Sequence, residues 1–477
     1  MIPTLTRRGL LAASAALVAM PLLPARARAA SDARTLAATA RTLDVRGRAV
    51  SVMGLLGPDG RPGLTLDPGE RFRVDLANRL AEPTIVHWHG QIPPAAQDGV
   101  PDAPMPALAP GEARRFDFAP RPGTHWMHSH QPLQEMALLA APLIVRRPED
   151  LAEDRQEVIM FLHDLSFAPP EEVLAGLGLG GGMAGMDHGE PTHGMGAMSG
   201  IGGMAAMDVN DIAFDAYLAN DRTLDDPEVV AVEPSGRVRL RVINAAAATA
   251  FWIDTGAVPA RLVAVDGEDM EPIGGTRFGL SMGQRLDLLL DLPAAGGAFP
   301  ILALREAAPE RAGIVLATPG AQVPRVHVMG DAPAPVFDAD LAQEGRLRAL
   351  RPLPERAADR APMVMLEGSM SPYLWTIDGR SWPDIVPTEA RSGERVELTF
   401  HNMSMMAHPM HLHGHAFQVV GIGGRRLAGA VRDTVLVPPM AAVTVAFDAG
   451  EPADWMLHCH HMPHLATGMM TALRVVA

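Results

Sequence analysis

The chain has 477 residues with a formal net charge of −15, many glycines (46) and prolines (43), and a single cysteine. The acidic balance argues against a nucleic-acid partner, and one cysteine leaves no pair for an internal disulfide. Beyond the N-terminus no apolar run reaches the length of a membrane helix, so we expect no membrane span in the mature form.

The N-terminus predicts an export leader. Arg7 and Arg8 precede an apolar stretch (10–23) and an A-x-A cleavage site that ends at Ala29. The stretch is too short to span a bilayer, although a membrane anchor stays open as the alternative. The paired arginines resemble a twin-arginine signal, which exports folded proteins. We therefore expect residues 1–29 to be removed and the mature protein to reach the periplasm.

Three segments share one alternating pattern. Each begins with Arg, continues with apolar residues at alternate positions and ends with Asn: RFRVDLAN (71–78), RVRLRVIN (237–244) and RVELTFHN (395–402). A period of two predicts half-buried strands, and the recurrence predicts a repeated β-domain, with chance alternation as the alternative. Other apolar runs bounded by Pro and Gly turns predict further strands of sandwiches, at 157–165, 285–292 and 442–449.

One segment lacks the alternating apolar pattern of the sandwich strands. Residues 176–207 are rich in Gly and hold almost no branched apolar side chains, so they predict a mobile or partly disordered insertion. The insertion contains three M-x-x-M pairs, formed by Met183, Met186, Met195, Met198, Met204 and Met207.

Histidines occur in H-x-H pairs far more often than chance allows. Random placement of the 18 histidines predicts about 0.7 such pairs, and five are present. Side chains at i and i+2 of a strand share a face, so each pair presents two imidazoles together. The pairs stand in HWHG (His87, His89), HSH (His128, His130), HLHGH (His411, His413, His415) and HCH (His458, His460).

Alternation separates two sites near the C-terminus. Cys459 points away from the face that carries His458 and His460, and parity likewise separates His408 from the pair that starts at His411. One site therefore gathers His408, Cys459, His464 and Met469. The other gathers His411, His413, His458 and His460.

The first of these sets is the ligand list of a blue copper electron-transfer centre, with two imidazoles, a thiolate and a weak Met ligand. A closed zinc site and plain core packing are the alternatives. The eight paired imidazoles, four from each end of the chain, must meet at a domain interface. They are two too many for one ion, so they fit several copper ions with open positions for dioxygen.

HWHG, HSH, HPMHLHGH and HCHHMPHLATGM resemble the four copper-binding motifs of the three-domain multicopper oxidases. The resemblance implies an all-β chain of three consecutive cupredoxin-like Greek-key β-sandwich domains. We expect these domains to span 30–148, 149–320 with the insertion at about 176–207, and 321–477.

The resemblance also implies four copper ions. Type 1 would be held by His408, Cys459, His464 and Met469, and type 2 by His87 and His411. The two type 3 ions would be held by His89, His128 and His460 and by His130, His413 and His458. Electrons would pass from type 1 through Cys459 and its flanking histidines, and four of them would reduce dioxygen to water.

Asp98 and Leu465 bear on proton delivery. Asp98 resembles the family acid near type 2 that assists proton delivery, although Asp-Gly is also an ordinary turn. After His464, the cuprous-oxidase branch usually carries a glutamate for proton supply, and this chain has Leu465. In that detail the chain is more similar to laccases.

The methionines favour Cu(I) as the reductant. Thioethers are soft ligands, and the insertion resembles the Met-rich segments of periplasmic copper-tolerance oxidases, with a solvated linker as the alternative. Met406 matches a substrate-copper position of that branch, whereas Ser404 stands where the branch has an aspartate. The candidate substrate-copper ligands are therefore Met406 and the six methionines of the insertion.

Together these patterns predict a monomeric periplasmic oxidase that couples Cu(I) oxidation, in copper detoxification, to four-electron reduction of O2. A laccase-like oxidase of phenols or aromatic amines, that is, of a small aromatic reductant, is the close alternative. A non-enzymatic copper store or folding factor is the distant one, and it is disfavoured because no ligand is missing.

Overall fold

The computed structural model describes residues 33–100, 105–179 and 209–477. The predicted leader lies outside the described residues, as do the six methionines of the predicted insertion. None of the helices within the described ranges has the length and apolar character needed to cross a bilayer.

The first eight strands form two sheets that share one core. They are β1 (Arg34–Val45), β2 (Arg48–Leu56), β3 (Leu64–Leu66), β4 (Phe72–Asn78), β5 (Val86–His87), β6 (Ala113–Phe118), β7 (Gly123–Ser129) and β8 (Ala140–Val145). The sheet orders are β2-β1-β4-β6 and β3-β8-β7-β5. Alternate residues of β4 are fully buried, and Phe72 packs there on Trp88 and Phe118.

The next eleven strands repeat this arrangement. They are β9 (Gln156–Leu165), β10 (Ala216–Ala219), β11 (Val229–Ala231), β12 (Arg237–Asn244), β13 (Phe251–Asp254), β14 (Ala260–Val265), β15 (Glu268–Gly275), β16 (Arg277–Leu280), β17 (Arg285–Asp291), β18 (Ala298–Arg305) and β19 (Arg311–Ala317). The sheet orders are β10-β9-β12-β17-β14-β15 and β11-β19-β18-β13-β16. Leu240, Phe251 and Ile301 lie in the shared core.

The last strands form a third pair of sheets. They are β20 (Met363–Met370), β21 (Tyr373–Ile377), β22 (Thr388–Arg391), β23 (Arg395–Asn402), β24 (His408–Leu412), β25 (Phe417–Ile422), β26 (Arg425–Arg426), β27 (Val431–Arg432), β28 (Thr434–Val437), β29 (Ala442–Asp448), β30 (Ala453–Cys459) and β31 (Met470–Val476). The orders are β21-β20-β23-β29-β25-β26, with β27 paired to β25, and β22-β31-β30-β24-β28. The predicted all-β fold of three sandwiches is confirmed.

The helices of the described chain are single turns. They are α1 (Pro132–Met136), α2 (Pro148–Ala152), α3 (Pro170–Leu174) and α4 (Met462–Ala466). A π turn, Ala175–Leu179, directly continues α3, and 3-10 turns lie at Ala95–Gln97 and Glu344–Arg346. Each α-helix has Pro in its first two positions, where the missing N–H costs nothing. Helices α1 and α4 directly follow the HSH and HCHH motifs and pack against each other.

Strand β12 departs from the predicted half-buried pattern, because every residue after Arg237 is buried. Its second face carries Arg239 and Arg241. The guanidinium of Arg241 forms ion pairs with Asp150 at 3.0 Å, with Asp287 at 2.8 Å and with Glu157 at 2.6 Å. The alternation is real, but neighbouring segments cover both faces, and ion pairs satisfy the buried charges.

Candidate metal centre

Eight histidine side chains converge between the first and third sandwiches. Strand register explains the convergence, since His87 lies opposite His128 in the β5–β7 pair and His411 lies opposite His458 in the β24–β30 pair. All eight side chains are buried: His87, His89, His128, His130, His411, His413, His458 and His460. The two ends of the chain therefore meet at one polar cluster inside the molecule.

Five of these imidazoles form two close groups. The Nε2 atoms of His87 and His411 lie 3.4 Å apart, and those of His413 and His458 lie 3.1 Å apart. The ring of His130 stands 5.1 Å from that of His413 and 5.2 Å from that of His458. One ligand atom from each of His130, His413 and His458 fits within a 4.8 Å cluster that can hold a metal ion.

The other three imidazoles form a third group. Ring centroids are 5.6 Å apart for His89 and His128, 5.0 Å for His89 and His460, and 5.1 Å for His128 and His460. These are the three residues that the resemblance assigns to one type 3 ion.

Hydrogen bonds identify the free nitrogen in three of these rings. The Nδ1 atoms of His87, His411 and His458 lie 2.8–3.0 Å from the backbone carbonyls of Asp98, Asp433 and Cys459. A carbonyl only accepts, so Nδ1 carries the proton and the Nε2 lone pair faces the cluster. This is the ring orientation that metal-binding histidines require.

The imidazoles of the cluster resist protonation, so their lone pairs stay free to bind a metal cation. Burial, reinforced by neighbouring imidazoles, holds the pKa of His411 and His413 well below the usual value, and that of His460 at about 3. Nε2 of His128 and His130 has no hydrogen-bond partner among the described residues. A buried, unpaired polar atom costs roughly 1–3 kcal/mol, which a bound metal ion removes. The donor set therefore fits copper.

Asp98 lies against this cluster. Its Oδ2 is 2.8 Å from Nδ1 of His413, and its Oδ1 is 3.4 Å from Nδ1 of His87. The next residue, Gly99, has φ +85°, and a Cβ there would lie 1.9 Å from the carbonyl oxygen of Val86. Only glycine allows this close approach of the backbone, which places Asp98 next to the histidines.

Two further acids at the cluster were not found by sequence reasoning. Glu135 of α1 places Oε2 at 2.7 Å from Nδ1 of His128, and burial raises its pKa to about 7. Asp433 places Oδ1 at 3.1 Å from Nε2 of His89 and pairs with Arg285. A weak signal existed for Glu135, five residues after the HSH motif, but none for Asp433.

Leu465, by contrast, packs its side chain among apolar residues. It lies in α4, in a cluster with Met136 of α1 and with Met462. The acid nearest to His460 comes instead from α1, where Oε1 of Glu135 is 3.7 Å from Nδ1 of His460.

A second donor set lies beyond the end of β30. The Sγ atom of Cys459 is 3.7 Å from Nδ1 of His408 and 3.6 Å from Nδ1 of His464, and the two nitrogens are 3.1 Å apart. Met469 is buried beside them, and its carbonyl accepts the Cys459 N–H. Burial raises the pKa of the Cys459 thiol, so a soft cation is needed to hold the thiolate.

A large cavity adjoins this second site. It has a volume of about 1040 Å³, and Met282, Met405, Met406, Met440, Glu306 and His461 are among its lining residues. Burial raises the pKa of Glu306 to about 7. The cavity can admit either a metal ion or a small organic molecule next to the Cys459 site.

The fold and the two donor sets define a copper-dependent oxidoreductase, and comparison with known proteins gives the family. Models described as multicopper oxidase match residues 39–150, 197–318 and 356–477. Multicopper oxidase MmcO of Mycobacterium tuberculosis is 31% identical over 92% of this chain and 86% of its own. The chain belongs to the multicopper oxidase family, which uses type 1, type 2 and type 3 copper with O2 as acceptor.

Relatives of lower sequence identity are consistent with this family assignment. Copper resistance protein A of Escherichia coli is 24% identical over 87% of this chain and 88% of its own. The crystal structure of laccase from Botrytis aclada superposes with a TM-score of 0.75 at 20% identity, covering 92% of this chain and 87% of the laccase. The structural likeness supports the fold.

Proposed function

We propose that this chain oxidises Cu(I) to Cu(II) and passes the electrons to O2. The observation that carries the proposal is the soft lining of the cavity beside Cys459. Met282, Met405, Met406 and Met440 line this cavity, and Met405 and Met440 are 57% and 58% exposed. Thioether sulfur prefers Cu(I) to hard ions, so this lining favours Cu(I) as the reductant.

The residue roles are part of the proposal. Cys459, His408, His464 and Met469 hold type 1 copper, and His87 and His411 hold type 2. The type 3 pair is held by His89, His128 and His460 and by His130, His413 and His458. The sulfur and nitrogen distances at the Cys459 site, the nitrogen distances within the His87–His411 and His413–His458 pairs, and the ring-centroid distances among His89, His128 and His460 support this division. Copper so held would supply one-electron redox chemistry and O2 binding.

The remaining protein groups connect and orient these sites. Cys459 and its neighbours His458 and His460 link the two donor sets through three consecutive residues, which is the shortest covalent route between them. Asp98 orients His87 and His413 and supplies a carboxylate for proton delivery. Four electrons and four protons convert one O2 to two waters.

The cellular setting is also proposed. Residues 1–29 are a twin-arginine leader, the mature monomer works in the periplasm, and its domains span 30–148, 149–320 and 321–477. The insertion methionines collect Cu(I) for the cavity, where Met406 is the substrate ligand closest in sequence to His408. The similarity to a copper resistance protein supports a role in copper detoxification.

An organic reductant is the second candidate. The cavity volume of about 1040 Å³ exceeds what a metal ion requires, and apolar residues dominate its lining. Glu306, with its pKa near 7, can accept the proton that a phenol releases on oxidation. This candidate predicts a laccase-like oxidase of phenols or aromatic amines.

Replacing the exposed methionines distinguishes the two candidates. The double variant Met405→Leu, Met440→Leu keeps the apolar lining but removes two thioethers. We expect kcat/KM for Cu(I) to fall by about tenfold, equivalent to about 1.4 kcal/mol, while kcat/KM for a phenol changes little. The matched control is Met329→Leu, Met363→Leu, which are similarly exposed methionines outside the cavity. Equal Cu(I) kinetics in both double variants would refute the Cu(I) assignment.

A further inference from the structure

The imidazoles beside Cys459 have no edge that a reductant can touch. His408 and His464 are fully buried. The outer Nε2–H of His408 donates to Oγ of Ser404 at 2.8 Å, and Ser404 in turn donates to Asn402. The outer Nε2 of His464 faces Oδ2 of the buried Asp211 at 3.7 Å. Electrons from the cavity must therefore cross another residue first.

His461 is the residue that joins the cavity to this site. Only 2% of His461 is exposed, but it is part of the cavity lining, and its ring stacks on that of His464 with centroids 3.8 Å apart and an interplanar angle of 20°. Its backbone N–H donates to Sγ of Cys459 at 3.4 Å. It thus contacts two members of the proposed type 1 donor set.

Asp211 fixes the geometry of this stack. Its Oδ1 lies 3.2 Å from Nε2 of His461, while its Oδ2 faces His464 and accepts the hydroxyl of Tyr373. One carboxylate therefore faces both rings. Packing alone does not explain an imidazole at 461, since an apolar side chain would fill the same space without burying two ring nitrogens.

We propose that His461 is the bridging residue for electron transfer from the cavity, and that Asp211 is the positioning residue that keeps it stacked on His464. This inference rests on the proposed oxidase function. A Cu(I) ion at the cavity wall loses one electron and becomes Cu(II), or a phenol loses one electron and one proton. The electron crosses the two stacked rings to the Cys459 site. Four such transfers, with four protons, reduce one O2 to two waters.

The test is anaerobic reduction of the copper-loaded protein, followed by loss of the blue thiolate absorption. His461→Leu removes the flat ring, His461→Phe keeps one, and His327→Leu, an exposed histidine away from the cavity, is the matched control. A Cu(I) complex and a phenol serve as separate reductants. We expect His461→Leu to keep its copper content, its blue band and its reduction potential. Its blue band should bleach about tenfold more slowly than that of the wild type, which is less than the rate loss that displacing a reacting group by about an ångström can cause.

His461→Phe should recover most of the wild-type rate, because a flat ring still stacks on His464. Bleaching of His461→Leu at the wild-type rate with both reductants would overturn the proposal. So would loss of the blue band in both variants, since His461 would then be needed only to assemble the site. If the wild type responds to phenol and not to Cu(I), the Cu(I) function fails, and the phenol arm alone decides the role of His461.

Discussion

At the scale of single residues, Glu135 is the group that sequence reasoning missed and the structure supplies. The sequence has Leu465 in place of the glutamate of the cuprous-oxidase branch that it resembles, and that leucine is packed among apolar side chains. Glu135 reaches two histidines of the cluster from helix α1. Its Oε2 is 2.7 Å from Nδ1 of His128, and its Oε1 is 3.7 Å from Nδ1 of His460. The Nδ1–H of His128 donates to the Ser129 carbonyl at 3.0 Å, and a carboxylate this close to a metal-binding imidazole raises the basicity of the ring.

Replacing Glu135 should therefore weaken copper binding at the histidine cluster. Loss of such a partner costs about 10- to 100-fold in metal affinity, so we expect Glu135→Leu to lose copper on dialysis against a graded chelator series. Glu135→Gln retains an acceptor oxygen and should lose much less. Copper per chain is the measurement, and Glu172→Leu, an exposed glutamate on α3, is the control. Equal copper retention in Glu135→Leu and the control would contradict this role.

At the scale of elements, the strands could be predicted and the helices could not. The segments 71–78, 237–244 and 395–402 became β4, β12 and β23 because two-residue alternation needs only a few residues to show. The helices α1 and α4 have five residues each, too few for a helical period to be visible. Burial of the second face of β12 depends on distant segments, so local alternation gives no indication of it.

The ion pairs of β12 should make stability depend on pH. Burial opposes ionisation of Asp150, but its bond from the Arg147 N–H and the charges of Arg241 and Arg239 outweigh burial and lower its pKa. A lowered folded-state pKa contributes stability that is complete above the ordinary value of about 3.9 and is lost as pH falls through the folded value. Asp150→Asn should therefore destabilise the protein at neutral pH and progressively less in acid.

Urea unfolding at several pH values measures this effect. Because Arg241 keeps Asp287 and Glu157, we expect a loss of about 1–3 kcal/mol at neutral pH. Asp340→Asn changes the same charge at an exposed position and should leave stability unchanged. A loss that is equal at pH 7 and pH 3 would show that the carboxylate charge is not what stabilises β12.

At the scale of the whole molecule, the candidate site joins sequence positions that local patterns cannot connect. The histidine pairs could be predicted because alternation places both members on one face. Asp433 and His89 are 344 residues apart, and Asp211 reaches His461 from a different sandwich. Only the folded chain brings these groups together, so the histidine pairs and Asp98 could be predicted from the sequence, whereas Asp433, Asp211 and Glu135 could not.

Copper should therefore act as a clamp between the first and third sandwiches. The proposed copper ligands come from both, and an ion that binds only the folded state stabilises that state, by about 4 kcal/mol at 1,000 times its dissociation constant. We expect the copper-free protein to melt lower by on the order of 5 °C or more. Calorimetry before and after chelation measures this change, with Cu(II) or Mg²⁺ added back to separate copper-free samples. Mg²⁺, a hard cation, should not restore the melting temperature. Identical melting with and without copper would mean that the clamp does not exist.

The stoichiometry of O2 consumption tests the central claim most directly. Purified, copper-loaded protein is given Cu(I) in an oxygen electrode beside the Cys459→Ser variant, which lacks the thiolate needed for the blue centre. The expected result is four Cu(I) oxidised per O2, with water as the product and no peroxide, and no protein-dependent uptake in the variant. Two Cu(I) per O2 with peroxide released, or equal uptake in the wild type and Cys459→Ser, would contradict the account.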